Sequence, residues 1–135
     1  MILLKCLLIG LLFSTGVVMA QAPVIVEPPV ELKTAHQPCL VIKECIEYYG
    51  EIYHLSKSKI ELMKKVIYCE SGNNHLAVGD NNTSFGLSQI HLPAWKNITK
   101  EQAFSIDFSI NFMAKQFSKG NEGIWSCVSI VKNIH

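Results

Sequence analysis

The stretch KIELMKKVIYCESG, from Lys59 to Gly72, joins an amphipathic helical pattern to a carboxylate on its apolar face. At about 100° per residue, one arc of this helix carries only apolar side chains, those of Ile60, Met63, Val66 and Ile67. Glu70 falls in the middle of that arc. Ser58 and Glu61 have the spacing of a capping box at the helix start, and Gly72 can take the left-handed conformation that ends a helix.

The position of Glu70 has two interpretations. Against apolar surface the ionised form of a carboxyl group is disfavoured, so the pKa of Glu70 should rise toward the range that suits a general acid. Alternatively, Glu70 lies in the last helical turn and its side chain bends out to water. The helical pattern alone leaves both interpretations open.

The chain of 135 residues divides into three segments by composition. We expect a cleavable signal peptide at 1–20, because a short positive start precedes an apolar centre at 7–13 and a small-residue cleavage pattern before Gln21. A membrane anchor is the alternative, but the apolar run is shorter than the ~20 residues that a span needs. An extended linker rich in proline and valine is expected at 21–37, and one domain at 38–135. The mature protein is therefore predicted to be exported to the periplasm, cell wall or extracellular space, without a stable membrane span.

Four cysteines remain after the predicted cleavage, namely Cys39, Cys45, Cys69 and Cys127. An even number of cysteines in an exported protein favours disulfides over metal binding. Three pairings are possible, and we predict Cys69 with Cys127, which joins the Glu70 helix to the C-terminal one, and Cys39 with Cys45. Two helical positions six residues apart would be separated by ~9 Å, beyond the ~7 Å limit for a disulfide. Cys39 should therefore lie just before the first helix.

The charge and the histidines argue against two classes of ligand. The formal net charge is +1, so electrostatics gives no support for a nucleic acid partner. The five histidines include no pair at metal-ligand spacing on one helix, and no two cysteines have the short spacing of a zinc site. We expect no metal and no other cofactor.

The rest of the domain is predicted to be mostly α-helical, with a long loop after the Glu70 helix. Helical spacing predicts further helices at 41–53, at 106–117 and from 122 to about 131. Asp107 lies near the start of the second of these, and the last one is expected to have Asn121 as its cap and Ile124 facing the core. The segment 71–84 is rich in turn-forming residues, and we expect 85–91 to form a short helix or turn.

Several short motifs at defined spacing resemble those of a known family. They are Glu70-Ser71-Gly72, Ala77 with Gly79-Asp80, Ser84-Phe85-Gly86-Leu87-Ser88-Gln89-Ile90, Trp95, the helix with Asp107, Asn111 and Ala114, and Trp125. Over about residues 48–128, this combination resembles the lysozyme-like catalytic domain of soluble lytic transglycosylases, which is related to goose-type lysozyme. The resemblance implies a small lysozyme-like helical domain.

The resemblance also implies an activity. The substrate would be the glycan strand of bacterial peptidoglycan, cut between N-acetylmuramic acid and N-acetylglucosamine, and Glu70 matches the catalytic acid. In the family chemistry this acid protonates the glycosidic oxygen and then acts as base toward the C6 hydroxyl of the muramic acid, which leaves a 1,6-anhydro end. We expect a monomer that acts on glycan strands, for wall growth or for an envelope-spanning secretion machine.

The resemblance further implies substrate contacts at Ser84, Gly86, Leu87, Gln89 and Trp95. Ser84 would lie beside the catalytic acid, Gln89 would offer its amide to sugar groups, and Gly86 would let the backbone approach the glycan closely. The alternatives are a capping or surface role for Gln89 and core packing for Trp95 and Trp125.

Two departures from the family pattern bear on the activity. Many relatives carry a late tyrosine that hydrogen-bonds the catalytic glutamate, but no tyrosine follows Trp125 in this chain. Ser88 stands where many relatives have a larger residue, often methionine, and this predicts a more open subsite.

Three other functions stay open on the sequence. A hydrolytic lysozyme would need a second carboxylate, for which Asp80, Glu101 and Asp107 are the candidates. Asp80 also fits an Asx turn, Glu101 a first helical turn, and Asp107 a cap or buried hydrogen-bond acceptor. A non-catalytic peptidoglycan-binding module of the same fold is the second alternative, and a small disulfide-linked interaction domain is the third.

Overall fold

The computed structural model describes residues 37–134. The predicted signal peptide at 1–20, the predicted linker up to residue 36 and residue His135 lie outside the described residues. Within 37–134 the protein is mostly α-helical, as predicted, with five α-helices and one small sheet. No helix in this part of the chain is long and apolar enough to cross a membrane.

A turn-rich region between the second and third helices contains the sheet. The α-helices are α1 Ile42–Ile52, α2 Lys57–Ser71, α3 Lys100–Phe104, α4 Ile106–Ser118 and α5 Ser126–Lys132, with a 3₁₀ turn at Glu122–Ile124. The strands are β1 Val78–Gly79, β2 Ser84–Phe85 and β3 Ile90–His91. They form one antiparallel sheet in that order, in which Phe85 pairs with Val78 on one side and with Ile90 on the other.

The helix that carries Glu70 has the predicted end but a different start. Ser56, in extended conformation, is the N-cap of α2, and its Oγ accepts a hydrogen bond from the Lys59 N–H at 3.3 Å. The predicted capping box of Ser58 and Glu61 is therefore wrong. Ser58 lies inside the helix, and the Glu61 carboxylate accepts a hydrogen bond from Lys64 instead. Gly72 ends α2 in the left-handed conformation with a φ of 61°, as predicted.

The C-terminal segment is interrupted where a single helix was predicted. Trp125 is extended and only 5% exposed, and it separates the 3₁₀ turn from α5. Its indole Nε1–H donates a hydrogen bond to a buried carbonyl, so burial of this side chain overrides the local helical pattern. Asn121 occupies the N-cap position, as predicted, but of the 3₁₀ turn, and its side chain donates to Gln116 instead of capping. Ile124 is 51% exposed instead of facing the core.

The segment 85–91, predicted to be a short helix or turn, contains a tight turn at 86–89 that joins β2 to β3. Gly86 and Gln89 have positive φ values of 77° and 44° at its two ends. Two left-handed residues this close together reverse the chain and are incompatible with a helix.

Two hydrophobic clusters form the core. The larger one joins α1, α2, α4 and α5, and its fully buried side chains include Met63, Ile67, Leu87, Met113 and Phe117. The smaller one is built on Phe85, Ile90 and Ala103, with Trp95 packed at its edge. Phe112 packs against both clusters and so connects the helical part to the sheet.

Both predicted disulfides are present. Cys39 precedes α1, as the geometry requires, and its Cα lies 5.6 Å from that of Cys45. Cys69 in α2 is bonded to Cys127 in α5, with Cα atoms 5.9 Å apart. Disulfides are typical of proteins that fold in an oxidising compartment, so this feature is compatible with export.

Candidate active site

An open cleft lies where the end of α2, the sheet, α4 and the start of α5 meet. Its lining residues are Glu70, Asp80, Ser84, Gln89, Ile90, His91, Ala94, Trp95, Phe112, Ile124, Trp125 and Ser126. The fold therefore brings Glu70 to the same surface as three of the five residues expected to contact substrate, namely Ser84, Gln89 and Trp95.

Glu70 lies in the last turn of α2 and is half-buried. Its Oε1 accepts a hydrogen bond of 3.2 Å from the backbone N–H of Cys127 in α5. Burial raises the pKa of Glu70, the hydrogen bond from Cys127 opposes the rise, and the negative charge of Asp80 adds to it. The side chain therefore keeps contact with the protein interior instead of bending fully to water. A raised pKa keeps more of the carboxyl group protonated, as a proton donor requires.

A second carboxylate, that of Asp80, faces the same cleft. Asp80 has a φ of 50° in the turn before β2, and its Oδ2 accepts a hydrogen bond of 2.5 Å from the Ser84 hydroxyl. The Nδ1 atom of His91 lies 3.2 Å from the same hydroxyl oxygen. Ser84 is only 1% exposed, so its hydroxyl mainly holds Asp80 and His91 in position. It shares the cleft with Glu70, but its hydrogen-bonding carboxylate is that of Asp80.

The Gln89 side chain lines the cleft while its amide is anchored to the backbone. Its Nε2 donates hydrogen bonds to the carbonyl oxygens of Gly86, at 3.0 Å, and Ala77, at 3.3 Å. A Cβ atom at Gly79 would lie 2.3 Å from the Gln89 Oε1, so a larger residue there would require the Gln89 side chain to shift. Gln89 thus combines the expected place in the cleft with a structural role in the turn.

Leu87 and Gly86 do not line the cleft, which corrects two expectations. Leu87 is fully buried in the larger cluster, so the predicted substrate contact is wrong and its side chain belongs to the core. Gly86 is buried as well, and a Cβ atom there would lie 1.8 Å from the Ala103 carbonyl oxygen. The close approach that Gly86 permits is therefore to α3, and not to a glycan.

Ser88 is a core residue, so the predicted open subsite at this position is also wrong. Its Oγ lies 2.7 Å from the Ser109 Oγ in α4, and both residues are fully buried. Its carbonyl oxygen accepts the hydrogen bond of 2.6 Å from the Trp125 indole. A methionine at position 88 would displace α4 instead of filling a subsite.

The two tryptophans differ in exposure. Trp95 is partly exposed in the cleft and packs edge to face against Phe112, with ring centroids 4.9 Å apart. Trp125 borders the cleft but is 5% exposed and belongs to the larger cluster. Trp95 therefore offers more surface to a ligand than Trp125 does.

The other two candidate carboxylates lie outside the cleft. Glu101 is exposed in the first turn of α3, next to the capping box of Thr99 and Gln102. The Asp107 Oδ1 accepts hydrogen bonds from the Tyr49 hydroxyl at 2.8 Å and from the Cys39 N–H at 3.2 Å. Of the three acidic residues considered for a second role, Asp80 is the one that lines the cleft with Glu70.

Sequence reasoning missed two parts of the site, His91 and the backbone N–H of Cys127. His91 pairs with Ser84 across the sheet, a relation that depends on strands of only two residues each. A backbone donor leaves no sequence signal, although the predicted disulfide did place position 127 next to Glu70. Within residues 37–134, no group of three or more His, Cys, Asp and Glu side chains is arranged to hold a metal ion.

No family model, curated protein or solved structure matches this chain.

Proposed function

We propose that this protein is an exported peptidoglycan lytic transglycosylase, which cleaves the β-1,4 bond between N-acetylmuramic acid and N-acetylglucosamine. The observation that carries the proposal is the half-buried Glu70, whose raised pKa and place in an open cleft suit a general acid. The resemblance of the motifs around Glu70 and Gln89 to those of lytic transglycosylases supports the choice of substrate.

The proposed reaction uses Glu70 twice. The protonated carboxyl group donates its proton to the glycosidic oxygen as the bond from C1 to that oxygen breaks. The resulting carboxylate then takes the proton of the C6 hydroxyl while the C6 oxygen bonds to C1, which closes the 1,6-anhydro ring. Glu70 is protonated again at the end, and no water is consumed. A group that first donates and then accepts a proton works best with a pKa near the ambient pH.

The products of wall digestion test this proposal. Purified protein is incubated with peptidoglycan sacculi, and the released muropeptides are analysed by mass spectrometry. We expect the wild type to release products with 1,6-anhydro ends. In the Glu70→Gln variant the rate of their release should fall at least about 10²-fold. Glu101→Gln is the matched control, because Glu101 is an exposed glutamate outside the cleft. If Glu70→Gln releases products as fast as the wild type, the proposal is wrong.

A hydrolytic muramidase is the second candidate, and the place of Asp80 in the cleft favours it. An inverting hydrolase uses a second carboxylate to activate a water molecule. In that case the products would carry reducing ends, and Asp80→Asn would abolish their release. If the protein only binds peptidoglycan, neither kind of end will appear and Glu70→Gln will sediment with sacculi as well as the wild type does.

The setting belongs to the proposal as well. We infer action on glycan strands in the cell envelope, as a monomer, either in wall growth or in the assembly of an envelope-spanning machine.

A further inference from the structure

The residue whose backbone N–H binds the Glu70 carboxylate is itself cross-linked to the residue before Glu70. Cys127 donates this hydrogen bond, and its Sγ is bonded to that of Cys69. The disulfide and the hydrogen bond therefore close one small ring between the end of α2 and the start of α5. The two bonded cysteines are 58 positions apart in sequence.

Besides the packing of α5 against α2, the disulfide is the direct covalent link that holds the Cys127 N–H at Glu70. The hydrogen bond measures 3.2 Å, which is at the long end of the ~2.7–3.2 Å range of N–H···O hydrogen bonds. α5 has only seven residues, and Trp125, its N-cap, makes no side-chain hydrogen bond to the helix start. Among the described residues, Cys127 is the one hydrogen-bond donor to Glu70.

We propose that the Cys69–Cys127 disulfide is a positioning device for Glu70, which holds the Cys127 N–H against the carboxylate. Cys69 and Cys127 are positioning residues, since neither side chain lines the cleft. The inference rests on the proposed function for its effect on catalysis, but the geometric link between the disulfide and Glu70 does not depend on it.

The first arm of the test measures the contact between the Cys127 N–H and Glu70 and needs no enzymatic assay. An amide proton that donates to a carboxylate changes its NMR chemical shift as that carboxylate titrates. In the wild type we expect the amide shift of residue 127 to follow the titration of the Glu70 side chain, and Glu70→Gln should abolish this dependence. In Cys69→Ala/Cys127→Ala, which keeps the backbone N–H, the amide should no longer follow Glu70.

The second arm measures cleavage of soluble glycan strands. We expect kcat to fall about tenfold or more in Cys69→Ala/Cys127→Ala, with KM within about twofold of the wild type, because a misplaced catalytic group affects the chemical step. The matched control is Cys39→Ala/Cys45→Ala, which removes the disulfide remote from the cleft. In this control the amide shift of residue 127 should still follow the titration of Glu70, and kcat should stay within about twofold of the wild type.

The outcomes separate the two proposals. If the residue 127 amide still follows Glu70 in the alanine pair, or if kcat is unchanged after the amide dependence is lost, the positioning role is wrong. If the wild type cleaves no glycan, the proposed function fails, and the NMR arm alone decides whether the disulfide holds the N–H at Glu70. If the alanine pair does not fold, Cys69→Ser/Cys127→Val replaces it, because valine refills the buried position 127.

Discussion

Glu70 is a carboxyl group placed where its charged form is less stable than in water. Burial is the main reason for its raised pKa, and a single hydrogen bond from the Cys127 N–H offsets part of this effect. Such a group costs stability when it ionises, and residues of this kind are often found at active sites.

Glu70→Gln should stabilise the protein at neutral pH and not in acid. Because the folded state has the higher Glu70 pKa, it binds more protons than the unfolded state between the two pKa values. Stability therefore falls as the pH rises through this window, and the loss is complete above the folded pKa. Glutamine is neutral, so calorimetry should show a higher Tm than wild type at pH 7 and a similar Tm at about pH 3.5.

The control for this experiment is Glu101→Gln. Hydrogen bonds from its own backbone and from Thr99 lower the pKa of Glu101, so ionised Glu101 favours the folded state. The Tm of this variant at pH 7 should not rise. A lower Tm for Glu70→Gln than for wild type at pH 7 would contradict the proposed cost of burying the Glu70 carboxylate.

Asp80→Asn should shift the pH dependence of cleavage. The negative charge of Asp80 helps to raise the pKa of Glu70, so its removal lowers that pKa and deprotonates the acid at lower pH. Asparagine can still accept the Ser84 hydrogen bond. We expect the alkaline limb of the rate of anhydro-product formation to move to lower pH, while Glu101→Gln leaves it in place. An unmoved limb in Asp80→Asn would show that Asp80 does not influence Glu70.

At the level of elements, the turn between β2 and β3 depends on one close contact with α3. Gly86 combines a positive φ of 77° with the close approach to the Ala103 carbonyl. The same turn holds Gln89 in the cleft and places Ser88 and Leu87 in the core. Gly86 therefore permits the close packing of this turn against α3.

Gly86→Ala should destabilise the protein much more than Gly120→Ala. Both glycines have φ near 76°, so both variants lose the roughly 1–2 kcal/mol of a left-handed alanine. A Cβ at Gly120 meets nothing within 4 Å, whereas one at Gly86 must displace the Ala103 carbonyl. We expect a total loss of about 3 kcal/mol or more for Gly86→Ala, measured by urea denaturation. If both variants lose the same free energy of unfolding, α3 moves away from the new Cβ at position 86 without an energetic penalty.

At the level of the whole molecule, the two disulfides constrain very different lengths of chain. Cys39 and Cys45 are six positions apart, and the bond holds the start of α1. Cys69 and Cys127 are 58 positions apart, and the bond ties α2 to α5 around the sheet, α3 and α4. The longer loop loses more conformational freedom in the unfolded chain.

Removal of the longer-range disulfide should therefore cost more stability. The chain-entropy relation gives about 4 kcal/mol for Cys69→Ala/Cys127→Ala and about 2 kcal/mol for Cys39→Ala/Cys45→Ala. Urea denaturation of the two variants at one temperature and pH checks the order. The reverse order would show that the contacts of the short loop in the folded state contribute more to stability than the entropy of the unfolded chain does.

The sequence by itself was enough for the features that depend on local pattern. The apolar stripe and Gly72 predicted the body and end of the Glu70 helix, and helical spacing predicted α1 and α4. Cysteine number limited the pairings to three, and the pairing that we predicted among them is the one present. The helices follow from residues close together in the chain, and four cysteines allow only a few pairings.

Only the tertiary structure decided which residues of the Ser84 to Ile90 motif face the cleft. Leu87 and Ser88 are drawn into the core by α4, while Gln89 stays at the cleft, although the three are adjacent in sequence. The same holds for the hydrogen bond from the Cys127 N–H to Glu70. A backbone N–H is present at almost every residue, so the packing of α5 against α2, together with the Cys69–Cys127 bond, selects the one that binds the carboxylate.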